Sequence, residues 1–446
     1  MSTREKDKSP SRRAFLRSST ASALAFTYVP SRLLGADAPS NKLNIAGIGV
    51  GGMGKRNLQN CEEENIVALC DVDSERAAET FAKYPKAKQY KDFRVMLEKQ
   101  KEIDAVIVAT PDHTHAVITM AAMQLGKHVY CQKPLTHTVY EARKLTEAAR
   151  YHKVQTQMGN QGHSSEGTRL VHEWLNDGAI GTVRDVHVWT DRPVGGDPWS
   201  TWPIRSKPVE TPPVPESLDW DLWLGPVTYR PYHPEYHPAT WRGWIDFGTG
   251  ALGDIGCHTL DPAFWALDLG APSTLQATST HWQPEVASQT YPRASIVRYH
   301  FAARGERPPV NVTWYDGRLK PPVPKGLEPG RELRSGGYYF SGDEGEMIGA
   351  RLVPESKMQA YRQPPKVLPR VVTTHEGDWI RACKDGVPAC SNFEYSGPLT
   401  EMVLLGVIAI RLKDQVLSWD SENLRFTNSE EANALLHIDY REGWTL

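Results

Sequence analysis

The sequence predicts a two-part α/β protein, with a doubly wound parallel sheet first and a second region of mixed helices and strands. Three observations support this fold class. Short apolar runs recur from residue 42 onward, as in "LNIAGIG", "NIVALCD", "AVIVAT", "HVYCQ" and "VQTQMG". Amphipathic segments of helical period separate them, as a βαβ series requires. After "MGNQGHSS" the pattern changes to half-buried alternation, as in "TVRDVHVWTDRP".

The first runs are predicted to be strands buried on both faces, because continuous Val, Ile and Ala segments suit a parallel sheet covered by helices. Two helix-end signals lie between them. Thr138 and Glu141 fit a capping box, and Gly126 fits the end of a helix over residues 116–125. With 446 residues, two domains are expected, at 41–160 and 161–446.

Composition and charge argue against a nucleic-acid partner and against a metal site. The formal net charge is −2, with 40% hydrophobic and 23% charged residues, as expected for a soluble globular protein. No basic block is present, so a nucleic-acid partner is not expected. The six cysteines show no CxxC pair or Cys/His ligand spacing, so no metal is expected. Cys383 and Cys390 either pair after export or remain free thiols.

Residues 1–40 are predicted to be an export signal rather than part of the fold. Arg12 and Arg13 precede a weakly apolar run, and Ala36-Asp37-Ala38 fits a cleavage site. This series resembles a twin-arginine signal; a disordered basic tail is the alternative. The apolar run is too short and polar for a membrane span, so no membrane association is expected after its removal. The twin-arginine route carries folded proteins to the periplasm, which favours a tightly held cofactor.

The first turn of the parallel sheet reads "GIGVGGMGK" and fits a dinucleotide-binding turn of the Rossmann type. Glycines after a strand let backbone amides approach a pyrophosphate at a helix start. A glycine-rich turn needed only for packing is the alternative. The expected cofactor contacts in this turn are Gly49, Gly51, Gly52, Met53 and Gly54.

The end of the second strand supports this interpretation. Asp71 lies 22 residues after Gly49, where a carboxylate can accept hydrogen bonds from the adenosine ribose. Asp71 and Asp73 would repel a 2′-phosphate, which favours NAD. Lys55 and Arg56 keep NADP possible.

Further polar residues follow later strands of the same sheet. Thr110, Pro111 and His115 in "ATPDHTHA" are expected to border the cofactor, because carboxyl ends of parallel strands line the ligand crevice. For His115 and its neighbour His113, a helix cap or surface position is a strong alternative. Lys133 in "CQKP" follows the strand "HVYC", where its amine can stabilise a developing alkoxide. An ordinary exposed lysine is the alternative.

A second candidate pair lies in "GALGDIGCHTLD". Asp254 and His258 are four residues apart, so on a helix they share one face. A carboxylate that accepts from one imidazole nitrogen leaves the other free to take a proton. A helix N-cap at Asp254 with an exposed His258 is the alternative.

The motifs "GIGVGGMG", "CDVD", "ATPDHTHA", "CQKP" and "GALGDIGCHTLD", in this order, resemble the Gfo/Idh/MocA oxidoreductase family. The resemblance covers nearly the whole chain after residue 40. It implies catalytic roles for Lys133, matching an E-K-P motif, and for Asp254 with His258, matching a D-x-x-x-H pair. It also implies a nicotinamide cofactor, a sugar or polyol substrate, a second domain with an open, mostly antiparallel sheet, and a homo-oligomer. Gln132 departs from the family's glutamate.

Residues 193–250 are predicted to form a long irregular insertion that contributes to a carbohydrate cleft. Flat aromatic faces suit sugar rings, and arginine can bind hydroxyl groups. Tryptophans that merely fasten the insertion to the core are the alternative. We expect Trp241, Arg242 and His258 to contact substrate, within a larger group that includes Trp199, Trp202, Trp244 and Arg205.

These expectations combine into an NAD(P)-dependent oxidoreductase acting on a secondary hydroxyl of a sugar, polyol or glycoside. An NAD-dependent glycoside hydrolase or lyase, which oxidises a ring carbon only transiently, is one alternative. A non-catalytic sugar-binding protein is another. Because free NAD is scarce outside the cytoplasm, an exported enzyme would recycle its cofactor with a second substrate.

Overall fold

Six parallel strands form the first sheet of this structure, a computed structural model that describes residues 41–197, 200–202, 208–280 and 284–446. The strand order is β3-β2-β1-β4-β5-β6, and every neighbouring pair is parallel. The order reverses between β1 and β4, which opens a crevice at the carboxyl ends of the strands. The strands are β1 (Asn44–Ile48), β2 (Asn65–Cys70), β3 (Lys88–Tyr90), β4 (Ala105–Val108), β5 (His128–Cys131) and β6 (Thr156–Met158). The predicted doubly wound sheet is confirmed.

Five helices cover this sheet. The predicted capping box at Thr138 and Glu141 is present, and Gly126 follows the end of α4 in the left-handed conformation. α4 begins four residues earlier than the apolar pattern indicated, because its first turn buries polar side chains. The helices are α1 (Met53–Gln59), α2 (Ser74–Lys83), α3 (Phe93–Lys99), α4 (Asp112–Gln124) and α5 (Val139–His152).

The second sheet has nine strands in the described residues, in the order β13-β12-β11-β7-β10-β9-β8-β14-β15. All of its neighbours pair antiparallel except β7 and β10, so the predicted mostly antiparallel sheet is confirmed. The strands are β7 (Val183–Trp189), β8 (Thr274–Ser279), β9 (Ser295–Phe301), β10 (Val310–Tyr315), β11 (Gly337–Gly342), β12 (Glu346–Ile348), β13 (Leu352–Val353), β14 (Val416–Asp420) and β15 (Arg425–Phe426).

The second region also contains nine described α-helices and two short 3₁₀ turns, Gln161–Ser164 and Thr240–Gly243. The helices are α6 (Glu166–Asn176), α7 (Trp220–Leu224), α8 (Gly250–Thr259), α9 (Asp261–Ala266), α10 (Pro284–Ala287), α11 (Glu355–Ala360), α12 (His375–Asp385), α13 (Phe393–Arg411) and α14 (Glu430–Ala434). In the described ranges, α13 alone is long and apolar enough to cross a bilayer. It is largely buried against α5, α8 and β8, as a core helix is.

Residues 217–247, here named the cover segment, lie across the carboxyl edge of the first sheet. The Ser74 amide donates to the Ser217 carbonyl over 3.0 Å, and the Asp219 amide donates to the Val72 carbonyl over 2.8 Å. Residues on both sides of this contact belong to one compact unit, Leu43–Leu446. The domain division at residue 160 remains a prediction. The predicted export signal, residues 1–40, lies outside the described residues.

Candidate active site

A cavity opens at the carboxyl edge of the first sheet, beneath the cover segment, and its empty space is about 1280 Å³ when the part open to solvent is included. It extends from the ends of β1 and β2 to the end of β5 and to α8. Most of the residues that the sequence predicted for the site lie on its wall. These are Gly49, Gly51, Gly52, Met53, Asp71, Thr110, Pro111, His115, Lys133, Trp241, Arg242 and Asp254.

The glycine turn after β1 is tightly enclosed. Gly49 has a φ of +77°, and a Cβ there would lie 2.7 Å from the backbone of Ala109. A Cβ on Gly54 would collide with the Gly49 carbonyl oxygen. Gly52 caps α1 without a side-chain acceptor, so the first amides of the helix stay open to a ligand. The turn therefore has the shape that close approach of a pyrophosphate requires.

Asp71 fastens this turn to the end of β2. One carboxylate oxygen accepts from the Val50 amide over 2.8 Å, and the other accepts from the Asp73 amide over 3.0 Å. Burial raises the pKa of Asp71. Asp71 lines the cavity, so each oxygen keeps a second lone pair for a ligand; contact with a ribose stays a prediction.

Thr110, Pro111 and His115 lie at the end of β4, on the cavity wall. His115 is buried, and its Nδ1 and Nε2 each lie 2.8 Å from a carbonyl oxygen, of Pro134 and of Thr110 respectively. Burial alone would lower the pKa of His115, but Cys131 and the two carbonyls outweigh it and the pKa is raised. The surface alternative for this residue is wrong: His115 joins the ends of β4 and β5.

Lys133 is held inside the cavity rather than in solvent. Its Nζ donates to the Asp254 carbonyl oxygen over 2.7 Å and to Asp254 Oδ1 over 2.8 Å. An ammonium group has three donors, so one remains for a ligand oxygen. The alternative of an ordinary exposed lysine is wrong, and the structure brings Lys133 and Asp254 together as the resemblance implied.

Asp254 lies in the middle of α8, so the N-cap alternative is wrong. Its Oδ1 also accepts from Arg242 Nε over 3.1 Å. Burial would raise the pKa of Asp254, but Lys133 and Arg242 outweigh it and hold the pKa well below its usual range. The carboxylate is therefore the shared counter-ion of two cations.

The predicted hydrogen bond between Asp254 and His258 is not formed, and this part of the sequence interpretation is wrong. The two side chains share α8 as predicted, but the nearby cations Lys133 and Arg242 take the carboxylate. His258 has no hydrogen-bond partner among the described residues and is not part of the cavity wall. Burial, followed by the charge of Lys133, lowers the pKa of His258 to about 3, so its imidazole is neutral near pH 7.

The tryptophans of the insertion divide into two groups. Trp244 and Trp202 are buried in the interior, which supports the alternative that they fasten the insertion. Trp241 lines the cavity, and the Arg242 guanidinium lies 4.3 Å from its ring centre. Trp199 and Arg205 lie outside the described residues.

Several cavity residues escaped the sequence analysis. His237 of the cover segment lies on the wall, with Nε2 2.9 Å from Asp73 Oδ2. Arg76 lines the same end; Arg192 does not line the cavity, but its Nε lies 4.0 Å from Asp254 Oδ2. Asp112 is buried on the wall, and burial raises its pKa to about 6. Of these residues, only Asp112 could have been predicted from the sequence, because it belongs to the motif "ATPDHTHA".

All six cysteines, including Cys383 and Cys390, are free thiols in the structure. No group of three or more His, Cys, Asp or Glu side chains suited to a metal ion occurs within the described ranges.

These features define a dinucleotide-binding α/β protein with a second, mostly antiparallel sheet. Two family models identify it further. Residues 43–160 match "Oxidoreductase family, NAD-binding Rossmann fold", and residues 169–302 match "Oxidoreductase family, C-terminal alpha/beta domain". The chain belongs to the Gfo/Idh/MocA oxidoreductase family, and its first domain is of the NAD-binding type.

Curated proteins of similar sequence are named as dehydrogenases. Levoglucosan dehydrogenase of Pseudarthrobacter phenanthrenivorans is 25% identical over 218 residues, which are 49% of this chain and 46% of that protein. Inositol 2-dehydrogenase of Serratia proteamaculans is 29% identical over 164 residues, 36% of this chain and 49% of that protein. The chain spans about half the length of the curated relatives it matches.

Solved structures share the fold over a longer range. A levoglucosan dehydrogenase in complex with NADH superposes with a TM-score of 0.56 and 19% identity, over 84% of this chain and 99% of that one. The WlbA dehydrogenase of Bordetella pertussis, in complex with NADH and UDP-GlcNAcA, superposes with a TM-score of 0.58 and 16% identity, over 85% of this chain and 99% of that one.

Proposed function

We propose that this protein is an NAD-dependent oxidoreductase that transfers hydride between the cofactor and a secondary hydroxyl of a sugar or polyol. One observation carries the proposal: a single cavity joins the glycine turn to the buried Lys133–Asp254 pair. The wall fits a dinucleotide, because Gly49, Gly51 and Gly52 line it without side chains and the first amides of α1 have no side-chain acceptor. The names of the curated relatives support a sugar or polyol substrate.

The glycine turn and Asp71 would hold the dinucleotide, which when bound supplies the hydride acceptor. Lys133 has one donor left for the substrate oxygen, so its positive charge lies where an alkoxide develops. Asp254 and Arg242 fix that amine in place. His258 lies one helical turn from Asp254 and is neutral, but it does not line the cavity in this structure, so its part as the acceptor of the hydroxyl proton stays a prediction of the sequence analysis.

A substrate panel tests this proposal. The purified chain is incubated with NAD⁺ and with polyols, anhydrosugars, free aldoses and glycosides, while NADH absorbance and products are followed together. We expect stoichiometric NADH and a ketone product from at least one polyol or sugar. Glycoside cleavage without net NADH would instead identify a hydrolase or lyase, and binding without any product would identify a sugar-binding protein.

We further propose export by the twin-arginine route, with the cofactor bound before export. The sequence of residues 12–38 supports the route, and the cover segment, fastened across the cavity by His237 and the Asp219 amide, supports slow release of the cofactor. In a bacterial host, we expect a periplasmic protein that co-elutes with NAD(H). Its R12K/R13K variant should stay in the cytoplasm. Unchanged export of that variant would contradict the route, and a nucleotide-free periplasmic protein would contradict early binding.

A homo-oligomer, implied by the family resemblance, stays a prediction.

A further inference from the structure

Gln132, next to Lys133, connects the end of β5 to α1. Its Nε2 donates to Asn57 Oδ1 over 2.9 Å, and both side chains are buried. α1 begins at the glycine turn, and Gln132 itself lines the cavity. One side-chain hydrogen bond therefore links the two backbone elements that would contact the dinucleotide from either side.

The same asparagine is held from behind by Glu376, in the first turn of α12. Asn57 Nδ2 donates to Glu376 Oε1 over 2.6 Å, and Asn60 Nδ2 donates to Oε2 over 3.0 Å. Tyr130 of β5 adds a hydroxyl donor at 3.2 Å. Glu376 is only 2% exposed and has no salt-bridge partner among the described residues, so three neutral donors solvate it. Both oxygens of Glu376 therefore serve as hydrogen-bond acceptors in this arrangement.

The direction of these hydrogen bonds fixes what each position tolerates. Because the Asn57 amide donates toward residue 376, its oxygen faces residue 132, which must then be a donor. A carboxylate at position 132 would have to turn the amide around and take the donor from Glu376. Two carboxylates would then share one buried amide, an unfavourable arrangement at low dielectric.

We infer that Glu376 is a positioning residue for the cofactor site, which through Asn57 orients Gln132 and joins α1 to the Lys133 end of β5. The pair Gln132 and Glu376 thus works as a matched donor and acceptor, with the acceptor on α12. This gives a physical reason for the glutamine that precedes Lys133. The inference relies on the proposed function only for the role of Lys133.

The test exchanges donor and acceptor. Q132E, E376Q and Q132E/E376Q are compared with wild type by thermal unfolding and by NADH titration, two measurements that do not need turnover. We expect Q132E to weaken NADH binding by about tenfold or more and to lower Tm by several degrees. E376Q alone should have a smaller effect of the same sign. The exchange Q132E/E376Q should restore most of both losses, because the amide of Asn57 can reverse.

A charge-matched control separates this arrangement from net charge. Glu98 is exposed on α3 and has no ion-pair partner among the described residues, so Q132E/E98Q has the charge of the exchange variant without its geometry. Q132E/E98Q should not regain the NADH affinity or the Tm that Q132E loses. The NADH affinity of Q132E should also improve as the pH falls toward about 5, because a protonated carboxyl can donate to Asn57.

Three results would overturn the inference. The first is an exchange variant no better than Q132E, and the second is equal recovery in Q132E/E98Q. If Q132E accumulates only as insoluble protein, recovery of soluble, NADH-binding protein in Q132E/E376Q supports the inference, and failure of that recovery is the third contrary result. Absence of dehydrogenase activity in wild type and in every variant would contradict the proposed function. The comparisons of NADH binding and thermal unfolding could still be interpreted, because neither needs turnover.

Discussion

Replacing Lys133 with methionine should lower the turnover number by about 10²- to 10³-fold, the usual cost of losing one donor to a developing oxyanion. The methionine stem keeps the packing of the lysine chain. Asp254 keeps Arg242 as a partner, so the fold should be retained. NADH affinity should change little, because the glycine turn and Asp71 are untouched. Steady-state kinetics and NADH titration on one preparation measure both quantities.

Lys127 offers a matched control for this substitution. It is a partly exposed lysine one residue before β5, its Nζ donates to the Lys101 carbonyl over 3.2 Å, and it is absent from the cavity wall. K127M should keep full turnover. If K133M loses NADH binding and turnover together, Lys133 is structural; if it keeps turnover, the amine has no part in the chemistry.

Replacing Asp254 with asparagine should destabilise the protein at neutral pH by about 3–5 kcal/mol, because it leaves two largely buried cations, Lys133 and Arg242, without their counter-ion. The pH dependence has a definite sign. The pKa of Asp254 is depressed in the folded state. Ionised Asp254 therefore stabilises the folded protein fully above its unfolded-state pKa of about 4, and this stabilisation is lost as the pH falls through the lower folded-state pKa. The difference between D254N and wild type should therefore shrink below about pH 4. Denaturant unfolding across this range measures it.

Asp246 provides the comparison for D254N. It pairs with Arg230 over 2.7 Å but is half exposed, so D246N should cost less than about 1 kcal/mol at every pH. An equal loss in both variants, or a D254N effect that grows in acid, would contradict the role of Asp254 as a buried counter-ion.

The sequence was sufficient for the parallel sheet and the glycine turn because both depend on local patterns. Buried strands show as continuous apolar runs, and Gly49 and Gly54 occupy positions where a Cβ has no room. The short edge strand β3, "KQY", was missed because it has no apolar run and is held mainly by pairing with β2.

The partners within the site were harder to predict. The spacing of Asp254 and His258 correctly placed both on one helix face, but their sequence says nothing of Lys133, which is 121 residues away and takes the carboxylate. Trp241 and Trp244 are the same residue type in the same segment, yet Trp241 lines the cavity and Trp244 is buried in the core. His237 reaches Asp73 only because the cover segment crosses the sheet edge. Each of these depends on tertiary packing.

The cover segment also bears on the order of assembly. Strand β2 and the glycine turn are complete by residue 72, but part of the compartment's wall comes from residues 222–242 and from Trp444. The first 160 residues therefore carry the nucleotide fingerprint without the side chains that complete the wall. A bound nucleotide can meet the full set of wall residues only after nearly the entire polypeptide has been synthesised.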